Sequence, residues 1–185
     1  MCSRAARPVA RIGLVLFAIG LMLAPPLGAK VFYGQKEALA LAFPDASRIE
    51  RKTHILEDTE VAAIEALARS ELGSRLVAIH TAWRGDELLG FAHIDVHTVR
   101  TKPEGFMVVL GPRGTVDAVR VLAFYEPIEY LPTQRWYDRF TGKAPDDRLR
   151  LGHDVDAVSG ATLSARAATD GVRRVLAYYE VLLSH

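Results

Sequence analysis

Cysteine is nearly absent from this chain of 185 residues, and its single copy, Cys2, lies next to the N-terminus. A form that lacks the first 29 residues therefore contains no thiol. This excludes disulfides, thiolate-held iron–sulfur clusters, cysteine-ligated zinc and thioether-linked haem from such a form. Its fold must then be stabilised by a hydrophobic core without covalent cross-links.

A large excess of charge of either sign is also missing. The first 29 residues carry three arginines and no acidic residue, and the rest of the chain has 20 basic and 22 acidic groups, a formal charge of −2. Nucleic-acid-binding domains are typically strongly basic, so no nucleic-acid partner is expected. With half of its residues hydrophobic, the chain is long enough for one globular domain, which we predict over residues 30–185.

Long apolar runs are limited to one, the 13 residues Ile12–Ala24. Three arginines precede this run, and Pro25, Pro26 and the small residues up to Ala29 follow it. The pattern predicts a secretory signal peptide over residues 1–29, cleaved after Ala29. A spanning helix needs about 20 apolar residues, so an uncleaved anchor formed by residues 12–29 is the alternative. In both cases we expect a periplasmic or otherwise extracytoplasmic protein, in the second case anchored to the inner membrane.

The periodicity of apolar residues predicts an α+β domain, with an antiparallel sheet of two hairpins flanked by N-terminal helices and a long C-terminal helix. Helix-like spacing is found near both ends of the domain, and alternation typical of strands occupies the middle. The predicted helices cover residues 34–42, 58–72 and 163–183, and the predicted strands cover residues 76–82, 88–99, 106–110 and 115–125.

One segment differs from the rest in composition: residues 156–164, which read Asp-Ala-Val-Ser-Gly-Ala-Thr-Leu-Ser. It consists of small residues with three hydroxyls and one carboxylate, directly before the predicted C-terminal helix. The first N–H groups of a helix lack internal partners and attract anions such as phosphate. Gly160 would let a bulky ligand approach the backbone closely. A hydroxyl-rich helix cap is the plainer alternative, since Ser and Thr are good capping residues.

This segment resembles the flavinylation motif of the FMN-binding domain family, Asp-x-x-Ser-Gly-Ala-Thr/Ser-x-Ser/Thr. The motif occurs in the flavin subunits of ion-translocating NADH:quinone and ferredoxin-linked oxidoreductases and in periplasmic proteins. The resemblance implies that a flavin transferase, using FAD and magnesium, attaches FMN to Thr162 through a phosphoester. It also implies roles in the cofactor site for the other matching positions, which are Asp156, Ser159, Gly160, Ala161 and Ser164.

The likeness to this family extends over residues 75–183. The stretch from Val119 to Glu126 and the later Trp136, Phe140, Thr141 and Gly142 resemble the family's strand, turn and Phe-x-Gly-Lys region. The turn at residues 126–131 departs from the usual Glu-Thr-Pro-Gly wording. Aromatic residues of this region are by default core residues, and we predict that Tyr125 and Trp136 border the flavin, with Glu126 in the cofactor site.

Three polar residues, His93, Asp95 and His97, alternate along one predicted strand. Alternate side chains of a strand project in parallel, with their Cα atoms about 6 to 7 Å apart at each step. We therefore predict a solvated polar strand face here and no metal site.

The resemblance implies an electron carrier that exchanges electrons with redox partner proteins at the membrane or in the periplasm. No Gly-x-Gly-x-x-Gly sequence follows a predicted strand, and no nucleophile–base pair is evident, so independent substrate turnover is not expected. Two alternatives stay open at this point: a flavin subunit of a larger periplasmic reductase complex, and a binding or assembly module without flavin.

Overall fold

The computed structural model describes residues 30–184, which form an α+β domain around one six-stranded antiparallel sheet of order β1-β6-β5-β4-β3-β2. The strands are β1 (Lys30–Val31), β2 (Arg48–Ile55), β3 (Leu76–Arg84), β4 (Glu87–Thr98), β5 (Pro103–Leu110) and β6 (Val116–Phe124). The helices are α1 (Gln35–Ala42), α2 (Asp58–Ala68), α3 (Gln134–Tyr137) and α4 (Thr162–Leu182), and short 3-10 turns cover Ile128–Tyr130 and Asp138–Phe140.

The two predicted hairpins are confirmed as β3–β4 and β5–β6, and they are adjacent in the sheet. The central strand β5 is buried on both faces. Phe106, Val108 and Leu110 belong to the core beneath α2 and α4, whereas Met107 and Val109 belong to the smaller core beneath α1. Burial on both faces explains why this strand reads as a continuous apolar run without alternation.

The structure adds two edge strands that the sequence analysis does not predict. β2 pairs along its whole length with β3, and the two residues of β1 pair with β6. The sequence of β2, Arg-Ile-Glu-Arg-Lys-Thr-His-Ile, has mostly exposed positions and no apolar alternation. Edge strands of natural sheets commonly carry such charged side chains, because these oppose pairing with another chain.

The three predicted helices are present in the structure, and the main difference is the position at which the second one ends. The first was expected over residues 34–42 and is α1, and the C-terminal helix was expected over residues 163–183 and is α4. The second helix was expected to stop at Gly73, but α2 ends at Ala68 because Arg69 takes a left-handed conformation with φ of 54°. Glu65 then accepts a hydrogen bond from the backbone N–H of Leu72 at 2.8 Å, outside the helix.

The predicted signal peptide lies outside the described residues. Within residues 30–184, none of the helices combines the length and the apolar character needed to cross a bilayer.

Candidate functional site

Thr162 is the first residue of α4, and its side chain is exposed. Gly160 has a φ of +81°, and Ala161 occupies the N-cap position. The first hydrogen bond that continues into the helix runs from Ala165 N–H to Ala161 O at 2.9 Å. The backbone N–H groups of Thr162, Leu163 and Ser164 therefore point out of the helix end as donors without internal partners.

The hydroxyls of the motif do not serve as helix caps. The N-cap residue is Ala161, and no side chain makes a capping hydrogen bond there. The Thr162 hydroxyl donates instead to Val158 O at 3.2 Å, while Ser159 is exposed in the preceding turn. The plainer interpretation of this segment, a hydroxyl-rich cap, thus has no geometric support.

A cleft of about 170 Å³ opens beside the start of α4. The helix side contributes residues 160–164, so four of the predicted site residues, Gly160, Ala161, Thr162 and Ser164, line it. The opposite side is formed by Val99 and Arg100 of the loop between β4 and β5, and by Tyr130. A Cβ atom added to Gly160 would have no atom within 4 Å, so the backbone is open to a ligand here.

Ser164 is the one residue of the cleft whose hydroxyl lacks a partner although it is buried. Its exposed fraction is 1%, and its Oγ makes no hydrogen bond within the described chain. Leaving a buried hydroxyl unsatisfied costs about 1 to 3 kcal/mol. Together with the free N–H groups, this hydroxyl suits a ligand with several acceptor oxygens, and the residues present therefore fit the phosphate end of an FMN molecule.

Glu126, a predicted cofactor-site residue, holds the β4–β5 loop. Its carboxylate accepts hydrogen bonds from Thr101 N–H at 2.7 Å, Lys102 N–H at 2.9 Å and the Thr101 hydroxyl at 3.2 Å. The bond from the Thr101 N–H is the largest of the effects that lower the pKa of Glu126. Glu126 does not line the cleft, and its contact with a flavin stays a prediction.

Two further predicted residues, Asp156 and Trp136, contact each other before the helix start. The indole N–H of Trp136, which is buried, donates to the backbone oxygen of Asp156 at 2.7 Å. The Asp156 carboxylate forms an ion pair with Arg139. Trp136 therefore holds the backbone of Asp156, the first residue of the motif, by a hydrogen bond from the core.

Tyr125 is half-exposed and directly follows β6. Neither Tyr125 nor Trp136 lines the cleft, and flavin contact by either residue stays a prediction.

The prediction of a solvated face for His93, Asp95 and His97 is wrong. Helix α4 covers this face of β4, and Arg174 of α4 forms an ion pair with Asp95 at 2.7 Å. His97 contacts the carboxylates of Asp95 at 3.1 Å and of Glu104 at 3.4 Å, and Tyr137 donates to Glu104 at 2.7 Å. The partners come from three other elements, so the alternation of β4 alone could not indicate them.

These charges compensate one another inside the core. Burial opposes the charged form of His97, but its hydrogen bond to Asp95 and the negative charges of Asp95 and Glu104 outweigh burial and raise the pKa of His97 to about 9. Burial would raise the pKa of Asp95, yet His97 and Arg174 lower it. Within residues 30–184, no group of three or more His, Cys, Asp or Glu side chains is arranged to hold a metal ion.

Sequence reasoning missed Val99, Arg100 and Tyr130 as cleft residues. Tyr130 had only a weak signal, as one of several aromatic residues that follow β6 in the sequence. Val99 and Arg100 had none, because their place opposite the motif arises from the packing of α4 against the sheet.

Together these features define a small α+β domain with an anion-compatible cleft at the start of its C-terminal helix. The family model of the FMN-binding domain matches residues 101–177, which include β5, β6 and the motif. The match supports FMN as the ligand and agrees with the resemblance carried by residues 156–164. A search of curated proteins finds no match to this chain.

Proposed function

We propose that the protein is an extracytoplasmic electron carrier with FMN joined to Thr162 by a phosphoester. The observation that carries this proposal is the position of Thr162, whose exposed hydroxyl lies in the cleft, inside the segment matched by the FMN-binding family. Covalent attachment would keep the cofactor on a protein that works where lost FMN is not readily replaced.

Formation of the bond requires a flavin transferase that uses FAD and magnesium. Thr162 Oγ1 attacks the flavin-side phosphorus of FAD; the new oxygen–phosphorus bond forms as the bond to the AMP oxygen breaks. AMP is released, and the proton of the hydroxyl passes to solvent. No electrons move in this step. The chain supplies the nucleophilic hydroxyl and, through the N–H groups at the start of α4, donors for the phosphoryl oxygens.

The size of the cleft supports a flavin ring that lies outside it, at the surface. Pockets that enclose a drug-sized ligand usually measure about 300 to 1,000 Å³, and the cleft here holds about 170 Å³. It therefore has room for a phosphate and part of the ribityl chain, while the ring would face the surface. A bound FMN supplies reversible electron transfer. A ring at the surface is accessible to redox partner proteins at the membrane or in the periplasm.

Substitution of Thr162 tests the attachment. We predict that Thr162→Ala, produced in cells with the transferase, carries no flavin that survives denaturation, while Thr162→Ser retains it at least in part. The fold should persist, because the hydroxyl is exposed and makes one hydrogen bond, to Val158 O. Removing such a bond costs about 1 kcal/mol.

Thr53→Ala, which alters an exposed threonine on β2, is the matched control and should be modified like the wild type. Denaturation-resistant flavin absorbance in Thr162→Ala equal to that of Thr53→Ala would contradict the assigned attachment point.

A further inference from the structure

Arg100 is the charged residue of the cleft. Among the described residues that line it, no other carries a formal charge. Within residues 30–184 its guanidinium makes no ion pair, and it lies over the ring of Tyr130, 5.2 Å from the ring centroid. Seven other arginines of the described chain form ion pairs with carboxylates, as Arg139 does with Asp156. An unpaired guanidinium held beside a cleft is available to an anionic ligand.

The loop that carries Arg100 is held in one conformation from two sides. Val99 N–H donates to Lys102 O at 3.1 Å across the loop, and the Glu126 carboxylate accepts three hydrogen bonds from Thr101 and Lys102. Tyr130, which supports the guanidinium, follows Glu126 by four residues. One short segment after β6 therefore fixes both the backbone of the loop and the side chain of Arg100.

The opposite side of the cleft offers hydrogen-bond donors as well. The N–H groups of Thr162, Leu163 and Ser164 lie at the positive end of α4, and the buried Ser164 hydroxyl has no partner in the described chain. No carboxylate lines the cleft among the residues described. Donors on both sides, a cation on one and no competing acid suit a tetrahedral oxyanion between them.

We propose that Arg100 pairs with the phosphoryl group attached to Thr162 Oγ1, opposite the helix N–H groups and the Ser164 hydroxyl. This inference rests on the proposed function and adds a residue outside the flavinylation motif. Glu126 is a positioning residue, which acts by holding the loop that carries Arg100. A phosphodiester bears one negative charge, so a single guanidinium neutralises it.

The first test uses unmodified protein and inorganic phosphate as the probe. Backbone amide signals of residues 162–164 are followed by NMR during phosphate titration of wild type, Arg100→Ala, Arg100→Lys and Arg113→Ala. Arg113 is exposed in the turn at the other end of β5 and serves as the matched control. We expect phosphate affinity to fall at least about tenfold in Arg100→Ala and less in Arg100→Lys, with Arg113→Ala unchanged, because the charge-assisted hydrogen bonds of the guanidinium are lost.

Glu126→Gln distinguishes positioning from general loosening of the fold. If Glu126 acts through Arg100, Glu126→Gln weakens phosphate binding in the wild-type background and has no further effect in Arg100→Ala. Equal effects of Glu126→Gln in both backgrounds would overturn its role as a positioning residue.

Two results would overturn the role of Arg100 itself. One is wild-type protein whose signals at residues 162–164 do not respond to phosphate. The other is an Arg100→Ala variant that binds phosphate and accepts FMN from the transferase as fast as Arg113→Ala. Failure of the proposed function looks different: the wild type then stays unmodified by an active transferase, whatever its phosphate affinity.

Discussion

Gly171 allows α4 to lie directly against the sheet. A Cβ atom at this position would overlap the ring of Phe106 and the carboxylate of Asp95. Glycine inside a helix costs about 0.5 to 1 kcal/mol relative to alanine. The close contact between helix and sheet outweighs that cost, and it brings α4 within reach of the buried charges of β4.

We predict that Gly171→Ala lowers the free energy of unfolding by about 1 to 3 kcal/mol, because the added methyl group overpacks the core. Urea denaturation measures the change. Gly73→Ala is the matched control: a Cβ there has no atom within 4 Å, so its effect should be neutral or slightly stabilising. Equal stability of the two variants would show that α4 does not press on the sheet at Gly171.

At the residue scale, the sequence indicated which residue types gather near the motif but not what each contacts. Thr162 was predicted at the start of a helix, and the structure has it there. Trp136 and Glu126 were predicted in the cofactor site, and the structure places them in supporting positions, against Asp156 O and the β4–β5 loop. Such partners lie about 20 or more residues away in the chain, so only the folded arrangement identifies them.

At the scale of elements, the interface between α4 and strands β4 and β5 contains a buried cluster of Asp95, His97, Glu104 and Arg174. The side chain of Glu104 is fully buried, and both of its partners, His97 and Tyr137, are themselves largely buried. Removing one member would leave an uncompensated charge in the core, which is strongly destabilising. The cluster therefore ties the helix that begins at Thr162 to the centre of the sheet.

The raised pKa of His97 predicts that the domain loses stability as the pH rises from 6.5 to 9. The pKa is about 9 in the folded chain against 6.5 for the free residue, so the stabilising charge is fully present below pH 6.5 and disappears as the pH passes 9. We expect a loss of about 2 to 3 kcal/mol over this range by urea denaturation.

The pKa values of three other histidines are lowered from 6.5, so these residues titrate below this range; they are His54, His80 and His93. His97→Gln should therefore flatten the profile between pH 6.5 and 9, while His153→Gln, at an exposed position in the loop before the motif, should keep it. A wild-type profile that is already flat across this range would refute a protonated His97 in the core.

The elements themselves were predictable to different degrees. Strands β3 to β6 and helix α4 have strong apolar patterns, because each buries a defined face. β2 buries little and carries charges along its length, so it has no such pattern, and its pairing with β3 depends on the rest of the sheet. The end of α2 was misjudged because Arg69, and not a glycine, adopts the left-handed conformation there.

At the scale of the whole molecule, the site lies within the segment that the family model matches, except for Val99 and Arg100, which directly precede that segment. The family match begins at residue 101, within the β4–β5 loop, and ends in α4. The cleft forms between that loop and the first turn of α4, and helix packing across the sheet sets the separation of its two sides. The motif was readable from sequence because it is contiguous, whereas the side of the cleft that carries Arg100 required the tertiary fold.

The most direct measurement for the whole account is the intact mass of the full chain, produced with and without a flavin transferase that modifies a known acceptor in the same cells. We predict an added mass of about 440 Da, that of FMN less water, only when the transferase is present. Fragment masses should confine it to a peptide containing residues 156–164. An unmodified mass beside a fully modified acceptor, or an added mass on another peptide, would contradict the account.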